Sequence, residues 1–228
     1  NYPEVNGCIS KDTLNWINNC GKLDKNNNAK IIAVSHHNII NHSNYIYSGF
    51  TLDNSDEVLN TLKNNNIHLC FTGHIHFQSI KSTSLDNSIL TDIASSSLAI
   101  YPQQYGIATF NKDKSLSYEI ATLNMDNFDP SFKSNSKKSF KNFVYNQNFK
   151  RLSYSDDYTE EELKAMCETL SNIRLKYNDD SEEISWDSII SSKGFNLLKS
   201  CPSPFIKHYV DIALNNKDNN YKNLTIKL

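Results

Sequence analysis

The sequence predicts an α/β domain followed by a region of helices. Two short apolar runs, IIAVSHH at residues 31–37 and IHLCFTGHIH at residues 67–76, read as buried strands that lead into histidines. Residues 55–63, between the two runs, have the apolar spacing of a helix. From residue 126 onward, apolar side chains recur mainly at helical spacing. We therefore predict one α/β domain at residues 1–125 and a helical domain at residues 126–228.

The order strand, helix, strand predicts where the histidines lie. Ser55 suits the N-cap of the connecting helix. A crossover of this kind is right-handed and makes the two strands parallel neighbours. Parallel strands end at the same carboxyl edge of a sheet, which is where α/β proteins bind ligands. We therefore expect His36, His74 and His76 to meet in space, although they are distant in sequence.

Later segments complete the predicted domains. Residues 88–94 read as a strand, and residues 105–110 and 116–121 alternate as the two arms of a hairpin. In the helical region, Thr159 and Glu162 have the spacing of a capping box, which predicts the start of a helix.

Imidazoles two residues apart on a strand or turn can bind a metal ion from adjacent angles. The alternative for His74 and His76 is a chance pair of solvated loop histidines. His42 lies in the loop after the first strand, where it either binds substrate phosphate or donates a proton to the leaving oxygen, or is simply exposed. The residues themselves leave these alternatives open.

A strand ending in Ser-His-His at residues 35–37, followed by Gly-His-x-His at residues 73–76, resembles the second half of a calcineurin-like metallophosphoesterase. Within that family, the sequence is similar to bacterial class III cyclic-nucleotide phosphodiesterases that carry a helical C-terminal region. The resemblance implies that residues 1–125 form the second half of a four-layered α/β/β/α sandwich. It also implies that residues 126–228 form a helical appendage.

The resemblance also implies a chemistry. The family hydrolyses phosphoesters with two divalent metal ions (Mn, Fe or Zn) that activate a water or hydroxide. The resemblance places His36 and His74 on one ion and His76 on the other. We expect His37 to support this site or to contact substrate, and we take His37 and His42 as the candidate catalytic residues. The expected substrate is a small phosphodiester, with a cyclic nucleotide preferred and other phosphoesters next.

The sequence departs from the family in its acidic ligands. The first half of the family domain supplies Asp-x-His, Gly-Asp and Gly-Asn-His motifs. None of the six glycines here is followed by Asp or Asn, and no Asp-x-His occurs. We therefore expect the N-terminal half of the same protein to supply the remaining ligands, and the chain to be a carboxyl-terminal piece of it.

Two other functions fit the same residues. The three histidines, His36, His74 and His76, could hold a single zinc ion with one position open for water. Alternatively, the chain is a catalytically inactive fragment that binds a partner protein. The metal content and activity of the chain, alone and joined to an upstream segment, distinguish these alternatives.

Composition narrows the possible partners. With 228 residues and a net charge of −2, the chain has no general attraction for nucleic acid polymers or anionic membranes. No apolar run approaches the roughly 20 residues of a membrane span. Five scattered cysteines predict reduced thiols, which are more typical of cytoplasmic than of secreted proteins. Since an upstream half is expected, secreted and cell-surface locations stay open.

Overall fold

The computed structural model describes residues 6–27, 30–42, 49–85, 88–154, 157–179, 184–215 and 223–227. These residues form two compact units. The first unit comprises the described residues of 1–97, 104–122 and 221–228, and the second comprises those of 98–103 and 123–220. The combination of two sheets with a run of helices confirms the predicted α/β class followed by helices.

The first unit contains two sheets and two helices among its described residues. In chain order they are α1 (Lys11–Asn27), β1 (Ala33–Val34), α2 (Ser55–Asn64), β2 (Leu69–Thr72), β3 (Ser79–Leu85), β4 (Ser88–Ala94), β5 (Gln104–Phe110), β6 (Ser115–Thr122) and β7 (Asn223–Lys227). One sheet has the order β1-β2-β4-β3, with β1, β2 and β4 parallel and β3 antiparallel. The other sheet is the antiparallel meander β5-β6-β7.

Side chains on the two faces of the first sheet form two separate cores, because successive residues of a strand point to opposite faces. On one face, Cys70 and Leu90 pack with Leu14 of α1 and with Val58 of α2. On the other face, Leu69 and Ile93 pack with residues of the second sheet, namely Leu116 and Tyr118. The first unit therefore has three layers in the order helices, sheet, sheet.

The predicted helix caps have different outcomes. The sequence also predicts a helix after Ser10 with that residue as its cap. Ser10 does cap α1, since its hydroxyl accepts the backbone N–H of Thr13 at 3.2 Å. The predicted cap at Ser55 is wrong, because Ser55 is the first helical residue and Asn54 stands at the N-cap. The Asn54 side chain instead bonds both backbone groups of Ile9, at 3.0 and 2.9 Å, and so ties the two segments together.

Two strands were not predicted from the sequence. β3, with the sequence SIKSTSL, is polar because it is the edge strand of its sheet. β7 pairs with β6 in the register Leu116↔Ile226 and Tyr118↔Leu224. Such a long-range pairing depends on the folded chain rather than on any local pattern. The predicted hairpin of β5 and β6 is confirmed, with Gly106 opposite Ile120.

The second unit consists of helices built on one apolar core. The helices are α3 (Phe132–Leu152), α4 (Glu160–Asp179), α5 (Trp186–Ile190), α6 (Lys193–Ser200) and α7 (Pro204–Asn215). The capping box at the start of α4 is confirmed, since the backbone N–H of Thr159 donates to Glu162 at 2.9 Å and that of Glu162 donates to the Thr159 hydroxyl at 3.3 Å. The core centres on fully buried side chains of α4, α6 and α7: Met166, Leu170, Ile173, Phe195, Leu198 and Ile206.

Two further sequence expectations concern the cysteines and the membrane. All five cysteines are free thiols, as predicted. Of the helices in the part of the chain that the structure describes, none is both long and apolar enough to cross a membrane.

Candidate metal centre

The site lies at the carboxyl edge of the first sheet, where β1 and β2 end side by side. The two strands are parallel neighbours with Val34 opposite Phe71, as the crossover argument predicted. The ladder continues past both strand ends, because the backbone N–H of Gly73 donates to the carbonyl oxygen of His36 at 3.1 Å. The loop that carries His36 is therefore bonded directly to the turn that carries His74.

Two of the predicted histidines contact each other. The Nε2 atom of His36 lies 2.9 Å from the Nδ1 atom of His74, which is a hydrogen bond. Their ring centroids are 4.7 Å apart, at an angle of 63° between the planes. The prediction that these two side chains converge across 38 residues of sequence is confirmed for this pair.

The surroundings of His74 determine which of its nitrogens carries the proton. Its Nε2 atom lies 3.1 Å from the carbonyl oxygen of Gly49, and a carbonyl only accepts, so Nε2 carries the hydrogen. Burial, followed by the nearby rings of His37 and His36, lowers the pKa of His74. In the neutral ring the Nδ1 atom is then an acceptor, with its lone pair directed at His36.

The backbone of this turn is unusual. His74 has a φ of 62° and His76 a φ of 59°, both in the left-handed region that L-residues seldom occupy. Such a residue costs of order 1–3 kcal/mol and persists only where surrounding contacts hold it, which is common at functional sites. Ile75, between them, is 5 % exposed and anchors the turn in the protein interior.

His37 packs beside the pair. Its ring centroid lies 4.3 Å from that of His74 and 5.4 Å from that of His36. Gly7 lies against this ring, and a Cβ atom at Gly7 would come within 2.6 Å of it. A Cβ atom at residue 7 would therefore displace this ring, which lies between residue 7 and the His74 side chain.

His76 lies one residue beyond the buried Ile75, and its side chain is exposed, as is that of His36. It is close enough to His74 to help lower the pKa of that residue, although its effect is smaller than those of burial, His37 and His36. His36 and His74 thus form the contact pair, and His76 lies near it.

His42 does not lie on an exposed loop. The side chain is fully buried, its Nδ1 atom is 2.9 Å from the hydroxyl of Ser79, and its Nε2 atom is 3.4 Å from the carboxylate of Asp92. The longer contact is an ion-pair distance without hydrogen-bond geometry. The exposed-loop alternative is therefore wrong. In this structure His42 cannot contact a phosphate directly, because its ring faces the interior.

Ser79, His42 and Asp92 have the composition of a serine-hydrolase triad, yet they do not form one. Their residues are 1 %, 4 % and 0 % exposed, so no substrate reaches the Ser79 hydroxyl. In a triad the Nδ1 atom of the histidine faces the carboxylate, whereas here that atom faces Ser79. The cluster is a buried structural network.

The arrangement of His36 and His74 suits two ligands of one metal ion. Two nitrogen ligands at about 2.0–2.1 Å from an ion, at angles of roughly 90–110°, lie about 2.9–3.4 Å apart. The observed 2.9 Å falls in that range. Ligating histidines usually donate their second ring N–H to a carbonyl or carboxylate, and His74 does this to Gly49. Among the described residues, no group of three or more His, Cys, Asp or Glu side chains is arranged to hold a metal ion.

Three polar residues beneath the histidines were missed in the sequence analysis. Asp92, Thr72 and Asn38 are buried and bonded in a chain, with Thr72 donating to Asp92 at 2.6 Å and the Asn38 amide donating to Thr72 at 2.7 Å. The sequence did indicate this network through Asp92, which is a lone acid in the apolar strand segment ILTDIA. A carboxylate there requires buried donors.

For Tyr101, on the segment before β5, the sequence leaves stacking on a base as an alternative to packing within the protein and favours packing. Tyr101 belongs to the second unit. It is 2 % exposed, and its hydroxyl donates to Asp179 at 2.5 Å. The packing interpretation is therefore the correct one for Tyr101.

Comparison with known proteins identifies part of the chain. Residues 122–220 match the family model of the C-terminal domain of cyclic nucleotide phosphodiesterase. The matched segment contains all five helices α3 to α7 of the second unit, and the histidine-bearing unit lies outside it. No curated protein matches the chain. The helical part of the chain is thus similar to the C-terminal domain of a phosphodiesterase-type enzyme.

Proposed function

We propose that the chain is part of a metal-dependent phosphoesterase that hydrolyses phosphodiesters, with cyclic nucleotides as the substrate class. The observation that carries the proposal is the approach of His36 Nε2 to His74 Nδ1 at 2.9 Å, at the carboxyl edge of two parallel strands. The family match of residues 122–220 supports the choice of a cyclic nucleotide.

In this proposal the chain's histidines hold a pair of divalent ions (Mn, Fe or Zn). When bound, such a pair neutralises phosphate charge and makes water nucleophilic near neutral pH. His36 and His74 hold one ion through the two nitrogens that now face each other. His76 serves the second ion, and the N-terminal half of the same protein supplies the acidic ligands.

Other residues prepare the ligands. The carbonyl of Gly49 holds the proton of His74 on Nε2 and leaves the Nδ1 lone pair for the ion. The ring of His37 packs against His74 and restricts its rotation, with substrate contact as its further role. His42 supports the strand ends from inside through Ser79 and Asp92. The net charge of −2 draws no anion, so attraction of the phosphate depends on the local ions.

Zinc and cobalt titrations of the full chain test the ligand assignment. We expect His36→Ala and His74→Ala each to weaken Co²⁺ or Zn²⁺ binding at least tenfold. The matched control is His68→Ala, which changes a half-buried histidine placed just before β2 and should leave binding within twofold. Equal binding by all three variants and the wild type would refute the assignment.

Activity tests the reaction. We expect metal-dependent hydrolysis of cyclic AMP or bis(4-nitrophenyl) phosphate when the chain is joined to an N-terminal half that carries Asp-x-His, Gly-Asp and Gly-Asn-His. Two ions per molecule are expected in that form. One tightly bound zinc with hydrolysis by the chain alone supports the mononuclear alternative instead. Absence of any metal-dependent hydrolysis in the joined form supports an inactive fragment.

A further inference from the structure

Asp92 connects the two histidine-bearing segments from below. It lies on β4 with 0 % exposure, on the sheet face that also carries Leu90. One carboxylate oxygen accepts the backbone N–H groups of Ile39 and Ile40, at 2.8 and 2.9 Å. The other oxygen accepts the hydroxyl of Thr72 at 2.6 Å. A single buried carboxylate thus bonds both the loop after His37 and the end of β2.

The residues that Asp92 bonds are close to the histidines in sequence. Ile39 and Ile40 follow His37 by two and three residues, and Thr72 precedes His74 by two residues. A shift of either segment at these contacts therefore occurs within three residues of a histidine of the site.

The bonds beneath the histidines have a fixed direction. The hydroxyl of Thr72 donates to Asp92. The Thr72 oxygen is then free to accept from the Asn38 amide at 2.7 Å, and the same amide donates to the carbonyl of Gly73 at 3.2 Å. Each donor finds an acceptor only in this order. The chain Asp92–Thr72–Asn38–Gly73 therefore has one arrangement.

We propose that Asp92 is the positioning residue that sets the geometry of the His36–His74 pair, acting through Thr72 and Asn38. For its consequence in metal binding the inference rests on the function proposed above. Outer groups of this kind typically change metal affinity by about 10–100-fold when they are removed. No direct contact of Asp92 with metal or substrate is involved, because its carboxylate is enclosed by backbone donors and by Thr72.

The test compares Thr72→Val with Thr72→Ser in the full chain. Valine keeps the shape of threonine and removes the hydroxyl, whereas serine keeps the hydroxyl. The first readout is ¹⁵N NMR of the histidine rings without metal, which reports the Nε2–H form of His74 and its bond to His36. The second readout is Zn²⁺ affinity. We expect Thr72→Val to lose the His74 ring signature and to bind Zn²⁺ at least tenfold more weakly, and Thr72→Ser to keep both within twofold.

Two controls separate positioning from general stability. Leu90→Ala removes fully buried volume on the same strand and should lower stability while the ring signature stays unchanged. Asp92→Asn should repeat the Thr72→Val result. Its counterpart Asp113→Asn changes a carboxylate that also accepts a backbone N–H and a hydroxyl, both from Ser115, and should have no effect on the rings. If Asp92→Asn does not fold, the Thr72 pair still decides.

The outcomes distinguish this inference from the proposed function. An unchanged ring signature in Thr72→Val, or the same change in Leu90→Ala, overturns the positioning role even if Zn²⁺ binds. A lost signature in Thr72→Val with no Zn²⁺ binding by the wild type supports the positioning role and removes the proposed function.

Discussion

The left-handed backbone at His74 predicts which of two substitutions, glycine or alanine, leaves the protein more stable. His74 has a φ of 62°, where a Cβ atom costs about 1–2 kcal/mol and glycine costs nothing. Glycine loses about 0.4–1 kcal/mol through the greater freedom of the unfolded chain. We therefore expect metal-free His74→Gly to be more stable than His74→Ala by about 0.5–1 kcal/mol. Both variants lose the same ring contacts, so the comparison isolates the backbone.

Urea and thermal unfolding measure this difference. A gap of that size corresponds to roughly 1–4 °C in Tm for a chain of this length. The matched control is Asn60, an exposed residue within α2. There the order must reverse, with alanine more stable than glycine by about 1 kcal/mol. If alanine is at least as stable as glycine at position 74, the left-handed turn is absent and the site geometry derived from it fails.

Two further predictions concern the helical unit. Gly194→Ala should destabilise the chain by about 1–3 kcal/mol in urea unfolding, because a Cβ atom there would overlap the carbonyl oxygen of Ala165 and the hydroxyl of Thr169. Adding Thr169→Ala should not restore stability, since the backbone oxygen of Ala165 remains. Full restoration by the second substitution would contradict this packing. Burial, followed by the charge of Arg174, lowers the pKa of His208 to about 4. The unfolded chain, with a histidine pKa of about 6.5, then takes up the proton first, so the free energy of unfolding should fall by up to about 3 kcal/mol between pH 6.5 and 4. His208→Gln should flatten this pH dependence, and an identical slope in both proteins would show that His208 is not its source.

The local sequence was a reliable guide wherever the physical cause is itself local. Ser10 caps α1, and Thr159 with Glu162 caps α4, because those hydrogen bonds join residues three apart. The parallel, neighbouring arrangement of β1 and β2 was predictable because the handedness of a crossover leaves few topologies. The prediction for Ser55 failed, because the helix begins one residue earlier than expected. The N-cap residue is Asn54, and its side chain bonds the distant residue Ile9.

The site residues also divide into those whose placement the sequence predicted and those whose placement depends on distant partners. The approach of His36 to His74 could be inferred from two strand ends. The burial of His42 could not, because its ring is drawn inward by Ser79 and Asp92, which belong to strands far along the chain. His76 has the spacing of a ligand and follows the buried Ile75 at the exposed end of the turn.

The sequence by itself determined the α/β class, the helical region and the edge of the sheet at which histidines gather. These properties depend on residue periodicity and chain handedness, which short segments carry alone. The tertiary structure decided the proton position on His74, the left-handed turn and the carboxylate beneath both loops. Each of these depends on a hydrogen-bond partner supplied by another element, as with Gly49 for His74 and Asp92 for Thr72, and such partners meet only when the chain has folded.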